Sequence, residues 1–232
     1  MLRGRKKFIR TVLTVSLFVL LTAVAVVMIL LGHTPQIYQP PVVPPSGQIS
    51  PYLTHKLGPD FFASLQLEQP FELVLEQEGV NEIFASTAGV LALGEITLSR
   101  PVAVFYPDSV VLMAAVGLGG ASSVLSITAQ PAIDENGRLS LNIRSMTLGA
   151  IPVMSFARKI AQQYADQYLS ADDGQEIVAI VNGILDNRPF EPVLTISKYT
   201  IRLRKLTLEV GRLTLLIEPV KKTGDIRGTH VP

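Results

Sequence analysis

Cysteine and tryptophan are absent from this chain, and histidine occurs only three times. Without cysteine there is no disulfide framework, no thiolate metal site and no cysteine nucleophile. The histidines are His33, His55 and His230, all outside the expected strands and helices. The usual nucleophile–base pairs therefore cannot be assembled from them. Carboxylates remain, but Asp108, Asp134 and Glu135 fall at expected turns, and Asp172 and Asp173 at an expected helix start. Each has a sufficient structural role there. Asp134-Glu-Asn-Gly137 lacks the spacing of a calcium loop. Gly117-Leu-Gly-Gly120 lacks the lysine and helix start of a phosphate cradle. No catalytic residue, metal ligand or cofactor site is assigned, and the chain is expected not to be an enzyme.

Charge of one sign is also scarce where it would matter. Residues 32 to 187 carry six Lys/Arg against 15 Asp/Glu, a net −9, whereas residues 188 to 232 carry nine against four, a net +5. An acidic body argues against nucleic acid as a partner, because such binders need basic surface to displace counterions.

What the chain does have is a run of 21 uncharged, mostly apolar residues from Thr11 to Leu31, preceded by Arg3, Arg5, Lys6, Lys7 and Arg10. A helix of about 20 such residues crosses a hydrocarbon core about 30 Å thick. The cations predict a cytoplasmic N-terminus and an extracytoplasmic remainder at the cell membrane. A cleaved secretory signal is the competing reading, since Ala23-Val24-Ala25 is a formal cleavage site; both readings export the rest. The expected organisation is a basic segment (1–10), a transmembrane helix (11–31), a Pro-rich stalk (32–54), an α+β extracytoplasmic domain (55–219) and a flexible tail (220–232). Six prolines between residues 35 and 51 predict an extended spacer.

Within the domain, strands are expected near 70–76, 95–106, 109–117, 122–133, 138–148, 193–199, 200–210 and 212–218. Leu139, Leu141 and Ile143 alternate, and then the apolar positions slip to Met146 and Leu148. A one-residue slip turns side chains to the wrong face unless a bulge absorbs it, here at Arg144-Ser145. The same slip recurs at Arg204-Lys205. Two bulges predict a strongly bent, mostly antiparallel sheet. Glu135-Asn136-Gly137 reads as a hairpin turn. Helices are expected at Gly79–Ser86, from Pro152 to Leu169 with Val153, Phe156, Ile160, Tyr164 and Tyr168 in one apolar stripe, and from Asp173 to Leu185. The fold class is α+β, a bent antiparallel sheet packed on a long amphipathic helix.

Strands with apolar residues on both faces fit a doubly buried sheet. They also fit a curved sheet whose inner face lines an apolar groove. On the second reading the groove candidates are Val153, Phe156, Ile160, Tyr164, Leu112, Leu141 and Ile143. Lys198, Arg202, Arg204 and Lys205 are candidates to meet an anionic head group, or else form a solvated or charge-guarded strand edge.

Two segments carry a resemblance: Phe71-Glu-Leu-Val-Leu-Glu-Gln-Glu-Gly-Val-Asn-Glu-Ile83, and Leu148-Gly-Ala-Ile-Pro-Val153 leading into the amphipathic helix. Behind a membrane anchor, this order resembles the YpmS-like family of bacterial membrane-anchored proteins. It is more distantly similar to the LmeA-like envelope proteins, which are associated with phospholipid binding and a tubular-lipid-binding-like fold. The resemblance covers residues 70 to 219. It implies a long helix cradled by a bent sheet, and brings no catalytic set. The expected function is binding of a phospholipid or other amphiphile at the cell envelope. The alternatives are a scaffold that engages other envelope proteins and, third, an enzyme on wall polymers acting through Asp134 or Glu135.

Overall fold

The computed structural model describes residues 2–42, 48–87, 89–93, 96–155, 188–196 and 199–220. It is an α+β structure with two antiparallel sheets and an N-terminal apolar helix. Helix α1 (Leu2–Leu31) is long and apolar enough over Thr14–Leu31 to cross a membrane, and none of that stretch is buried against the rest of the protein.

After α1 the chain turns at Pro35–Tyr38 and lies against the body. The Tyr38 hydroxyl donates to the Arg100 carbonyl at 2.9 Å, and burial pushes its pKa up. Ser50, almost fully buried, donates to Glu82 Oε1 at 2.7 Å, and the Tyr52 N–H donates to the same oxygen at 3.0 Å. A helical segment follows where the sequence reading has none, a wide π-type turn at Tyr52–Leu57 running into α2 (Gly58–Gln66). The prolines that mark an extended spacer also suit a helix start: Pro51 flanks the first turn, and Pro59 sits in the first turn of α2.

The first sheet has the order β1-β10-β9-β8, from Phe71–Glu76, Arg212–Val220, Tyr199–Glu209 and Val193–Ile196. One of its faces is apolar, and Ile201 and Ile217 bury there with Leu65 and Phe61 of α2. The second sheet runs β2-β3-β4-β5-β6-β7, from Leu91–Leu93, Ile96–Tyr106, Ser109–Leu118, Ala121–Ile133, Leu139–Leu148 and Ile151–Pro152. The expected strands are present within a few residues, and the short β2 and β7 are additions.

Both expected bulges are where the hydrophobic slip puts them. Thr128 pairs with Ser145 but Ala129 with Ile143, leaving Arg144 as the extra residue. Leu216 pairs with Lys205 but Ile217 with Leu203, leaving Arg204 extra. A third irregularity was not expected: Arg100 and Pro101 together oppose Ala114, with Arg100 at φ +48°. Proline cannot donate to a ladder, so its presence inside a strand is the local signal for a bulge.

Helix α3 (Gln77–Thr87), expected at Gly79–Ser86, serves the edge of β3. Strand β2 pairs with β3 only at residues 96–98. Farther along, the Asn81 side chain both donates to the Ala103 carbonyl at 2.9 Å and accepts from its N–H at 2.7 Å. Gln77 Oε1 accepts from the Phe105 N–H at 2.8 Å. A three-way junction ties the sheets together there. The Gln77 N–H donates to the Gly211 carbonyl, and the Gly211 N–H to the Phe105 carbonyl.

The long helix expected from Pro152 begins later than its proline suggests. Gly149, at φ +59°, reverses the chain, Ile151–Pro152 pairs back onto Leu148 and Thr147, and the Val153 N–H donates to the Met146 carbonyl. Helical backbone starts at Met154–Ser155. The remainder of the span expected to be helical, including Phe156, Ile160 and Tyr164, and the helix expected at Asp173–Leu185 lie outside the described residues.

Ala103 is 1% exposed, so Asn81→Ala leaves its N–H and carbonyl without partners in a dry place. The expected loss is on the order of 2–3 kcal/mol, read as a lower denaturation midpoint, whereas Asn136→Ala at an exposed hairpin turn changes little.

Candidate functional site

The second sheet has two unlike faces. Its register puts Leu98, Ala103 and Phe105 of β3 on one side with Val110, Leu112, Ala114 and Val116 of β4. Leu125, Ile127 and Ala129 of β5 share that side with Leu139, Leu141, Ile143, Met146 and Leu148 of β6. Along β6 this single-sided pattern depends on the bulge, because Arg144 takes up the extra position and returns Met146 and Leu148 to the side of Ile143. The opposite face is mixed. Val102, Val111, Met113 and Val124 form a buried cluster there, closed by Tyr38, but Thr128, Asn142 and Ser145 continue it as polar surface.

Both faces are buried in part, since Ala103, Phe105 and Met146 of the aliphatic face are buried too. The cluster on the mixed face is buried. On the aliphatic face Leu112 is 43% exposed, and Leu141, Ile143, Leu125 and Ile127 are half-buried. From Ser109 through Ile133, the whole β4–β5 hairpin, the chain has no Asp, Glu, Lys, Arg or His. That absence is legible in the sequence and marks the β4–β5 hairpin on both of its faces.

Of the groove candidates, Leu112, Leu141 and Ile143 therefore share one face. Val153 is half-buried beside the end of that face, through its bond to Met146. Phe156, Ile160 and Tyr164 lie outside the described residues.

The head-group candidates are elsewhere. Lys198 lies outside the described residues. Arg202 and Lys205 are on the polar face of the first sheet, paired with Glu218 and Leu216 of β10. The Arg204 guanidinium is bonded to Glu218, and Arg202 lies 3.9 Å from Glu191. Glu191 follows Phe190, which bridges to Leu139 at the start of β6. The basic strand thus stands near one end of the aliphatic face.

The apolar helix meets the other end, in an arrangement sequence reasoning missed. Ser123 Oγ donates to the Leu31 carbonyl at 2.6 Å, and the Ala150 N–H donates to the Leu30 carbonyl at 2.8 Å. A helix leaves its last four carbonyls without intrahelical partners; Ser123 supplies the Leu31 carbonyl, and Ala150 supplies the Leu30 carbonyl beside a longer bond of 3.4 Å from the His33 N–H. Gly149 makes the approach possible: a Cβ there would collide with the Leu30 carbonyl oxygen and come within 2.6 Å of that of Leu31. Its positive φ is a second reason for glycine.

Asp134, a candidate for the enzyme reading, is committed to its own hairpin. Its carboxylate accepts from the Asn136 and Arg138 N–H groups and from the Arg138 guanidinium at 2.9 Å. The bond from the Arg138 N–H is the main cause that holds its pKa below the usual range. Three clefts among the described residues lie away from the aliphatic face, the largest, of about 470 Å³, at the junction lined by Glu76, Gln77, Glu209 and Arg212 among others. Another, of about 360 Å³ between α2 and β1, is lined by Lys56, Asp60, Glu72 and Glu76 among others. The third, of about 240 Å³, is lined by Pro41, Val42, Ser50 and Glu82 among others. Among the described residues no group of three or more His, Asp or Glu side chains is placed to hold a metal ion.

No protein-family model and no curated protein matches this chain.

Gly149→Ala is expected to push the sheet off the end of α1. The measurable result is faster protease cleavage between residues 32 and 42 in the membrane-reconstituted protein, and a loss of roughly 1–3 kcal/mol from the strained φ alone.

Proposed function

We propose that this is a single-pass membrane protein whose extracytoplasmic domain binds a phospholipid or another amphiphile, without catalysis. The observation that carries the reading is the aliphatic face of the second sheet. It holds no polar side chain on β4 between Val110 and Val116, it remains partly open at Leu112, and one end of it abuts the helix that is apolar enough to span a bilayer. A water-soluble domain gains nothing by leaving such a face open, whereas acyl chains would cover it at about 25 cal/mol per Å² buried.

On this reading α1 crosses the membrane with its basic N-terminus in the cytoplasm. The acyl chains lie between a bent sheet and the amphipathic segment from Pro152 to Leu169, with Val153, Phe156, Ile160 and Tyr164 as the opposing wall. Arg202 and Lys205, with Lys198 and Arg204, meet the head group of a molecule lying along the sheet. The resemblance to YpmS-like and LmeA-like proteins agrees with this picture, and the bulges at Arg144 and Arg204 are the devices that bend a sheet of this kind.

A scaffold for other envelope proteins is the second reading. It draws on apolar side chains exposed away from the aliphatic face, Phe62 at 47%, Leu67 at 71% and Leu194 at 60%.

The test is photo-crosslinking of the full-length protein in vesicles doped with a phospholipid that carries a diazirine on its acyl chain. Crosslinks are expected on β4 and β6 peptides containing Leu112, Leu141 and Ile143, and Leu112→Glu should reduce them severalfold. Crosslinks confined to α1 would refute lipid binding by the domain.

A further inference from the structure

The bonds between the sheet and the end of α1 locate a second membrane contact. Carbonyls at the C-terminal end of a helix point along its axis, away from the helix body. Donors to Leu30 and Leu31 therefore sit over the end of the span. Ser123 and Ala150 hold those places, so the strand ends near them are at the level where hydrocarbon gives way to head groups. Ala121 is two residues from Ser123, roughly 7 Å along the strand. The head-group layer on each side of a bilayer is about as thick.

One hairpin tip ends near this level. The β4–β5 tip is the two-residue turn Gly119–Gly120, both at positive φ, between Leu118 and Ala121, which pair. The start of β3 is its neighbour, because Ile96 pairs with Leu118. Gly119, Gly120, Ala121 and Ile96 are all exposed, Ile96 at 37%. Apart from Glu95 the sequence from Thr87 to Ser99 is uncharged, as is the entire β4–β5 hairpin. The Gly119–Gly120 tip is by itself an ordinary hairpin turn. What sets this hairpin apart is that it carries no charge along its whole length and is held beside the end of a helix apolar enough to span a bilayer.

We infer that the β4–β5 tip, with the start of β3 at Ile96 beside it, rests in the head-group–acyl boundary of the membrane spanned by α1, as a second contact that fixes the domain's orientation. The aliphatic face then rises from the membrane surface, and a lipid reaches it without crossing water. The tip contact rests on α1 spanning the membrane and stands apart from lipid binding on the sheet face.

The absence of native cysteine makes the experiment direct. Full-length Ala121→Cys, Ile96→Cys and Val210→Cys variants carry an environment-sensitive fluorophore, in vesicles of phosphatidylglycerol and phosphatidylethanolamine. Val210, in the β9–β10 turn, is 76% exposed and lies beside the junction at the sheet's other end. The Ala121 and Ile96 labels are expected to shift to the blue, to lose quenching by aqueous iodide, and to be quenched by lipids brominated near the glycerol. The Val210 label is expected to do none of these. Tip labels as wet as that at Val210 would overturn the contact. So would tip labels that are dry but untouched by brominated lipid, which would mean that protein covers them. Lipid-quenched tips with no acyl crosslinks on β4 and β6 would support the contact while removing the cargo reading.

Discussion

The last carbonyls of an apolar helix are the constraint on which this architecture turns. A spanning helix ends where water is scarce, and each carbonyl left without a donor there is costly. Here the donors come from the folded domain itself, from the Ser123 hydroxyl and the Ala150 amide, across Gly149. A helix joined to its domain by a free linker would have no fixed relation to it. One whose terminal carbonyls are bonded into a β-sheet does, and the strand ends beside Ser123 and Gly149 are held there.

The opposite end of the sheet is closed by a different device. Gln77, Gly211 and Phe105 join the two sheets through three hydrogen bonds, and Asn81 completes the edge of β3 with its side-chain amide. Between the two ends the second sheet needs no further polar partners on its aliphatic side. Its buried cluster is on the other side, around Met113 and Tyr38. The aliphatic side is packed at Ala103, Phe105 and Met146 and exposed at Leu112.

How much of this was legible in the chain depends on the kind of signal. The bulges at Arg144 and Arg204 were readable because a period of two admits no silent slip: one extra residue moves every later apolar side chain, and Met146 and Leu206 mark the shift. Leu112, Leu141 and Ile143 were placed together by the same alternation. The helical segment at Tyr52–Gln66 was missed because proline suits a helix start as well as an extended spacer. The roles of Asn81 and Gln77 were not readable, since a side-chain amide completing a strand edge leaves no periodic trace. The bonds from Ser123 and Ala150 to the helix end were equally hidden, because they join residues about a hundred positions apart through groups that nearly every sequence has. Gly149 stood out only as part of the segment Leu148–Val153 that leads to the expected helix. Its need to be glycine comes from the helix end that it faces.

The most direct measure of the account is hydrogen exchange at one backbone amide, that of Ala150, in the full-length protein reconstituted in lipid nanodiscs. The Ala150 side of the chain is exposed, and its N–H is bonded to the Leu30 carbonyl. If the sheet is seated on the helix, this amide exchanges as slowly as those in the centre of β5, and Gly149→Ala releases it. Exchange at the rate of a free amide, while β5 stays protected, would mean that the domain is not fixed to the end of α1.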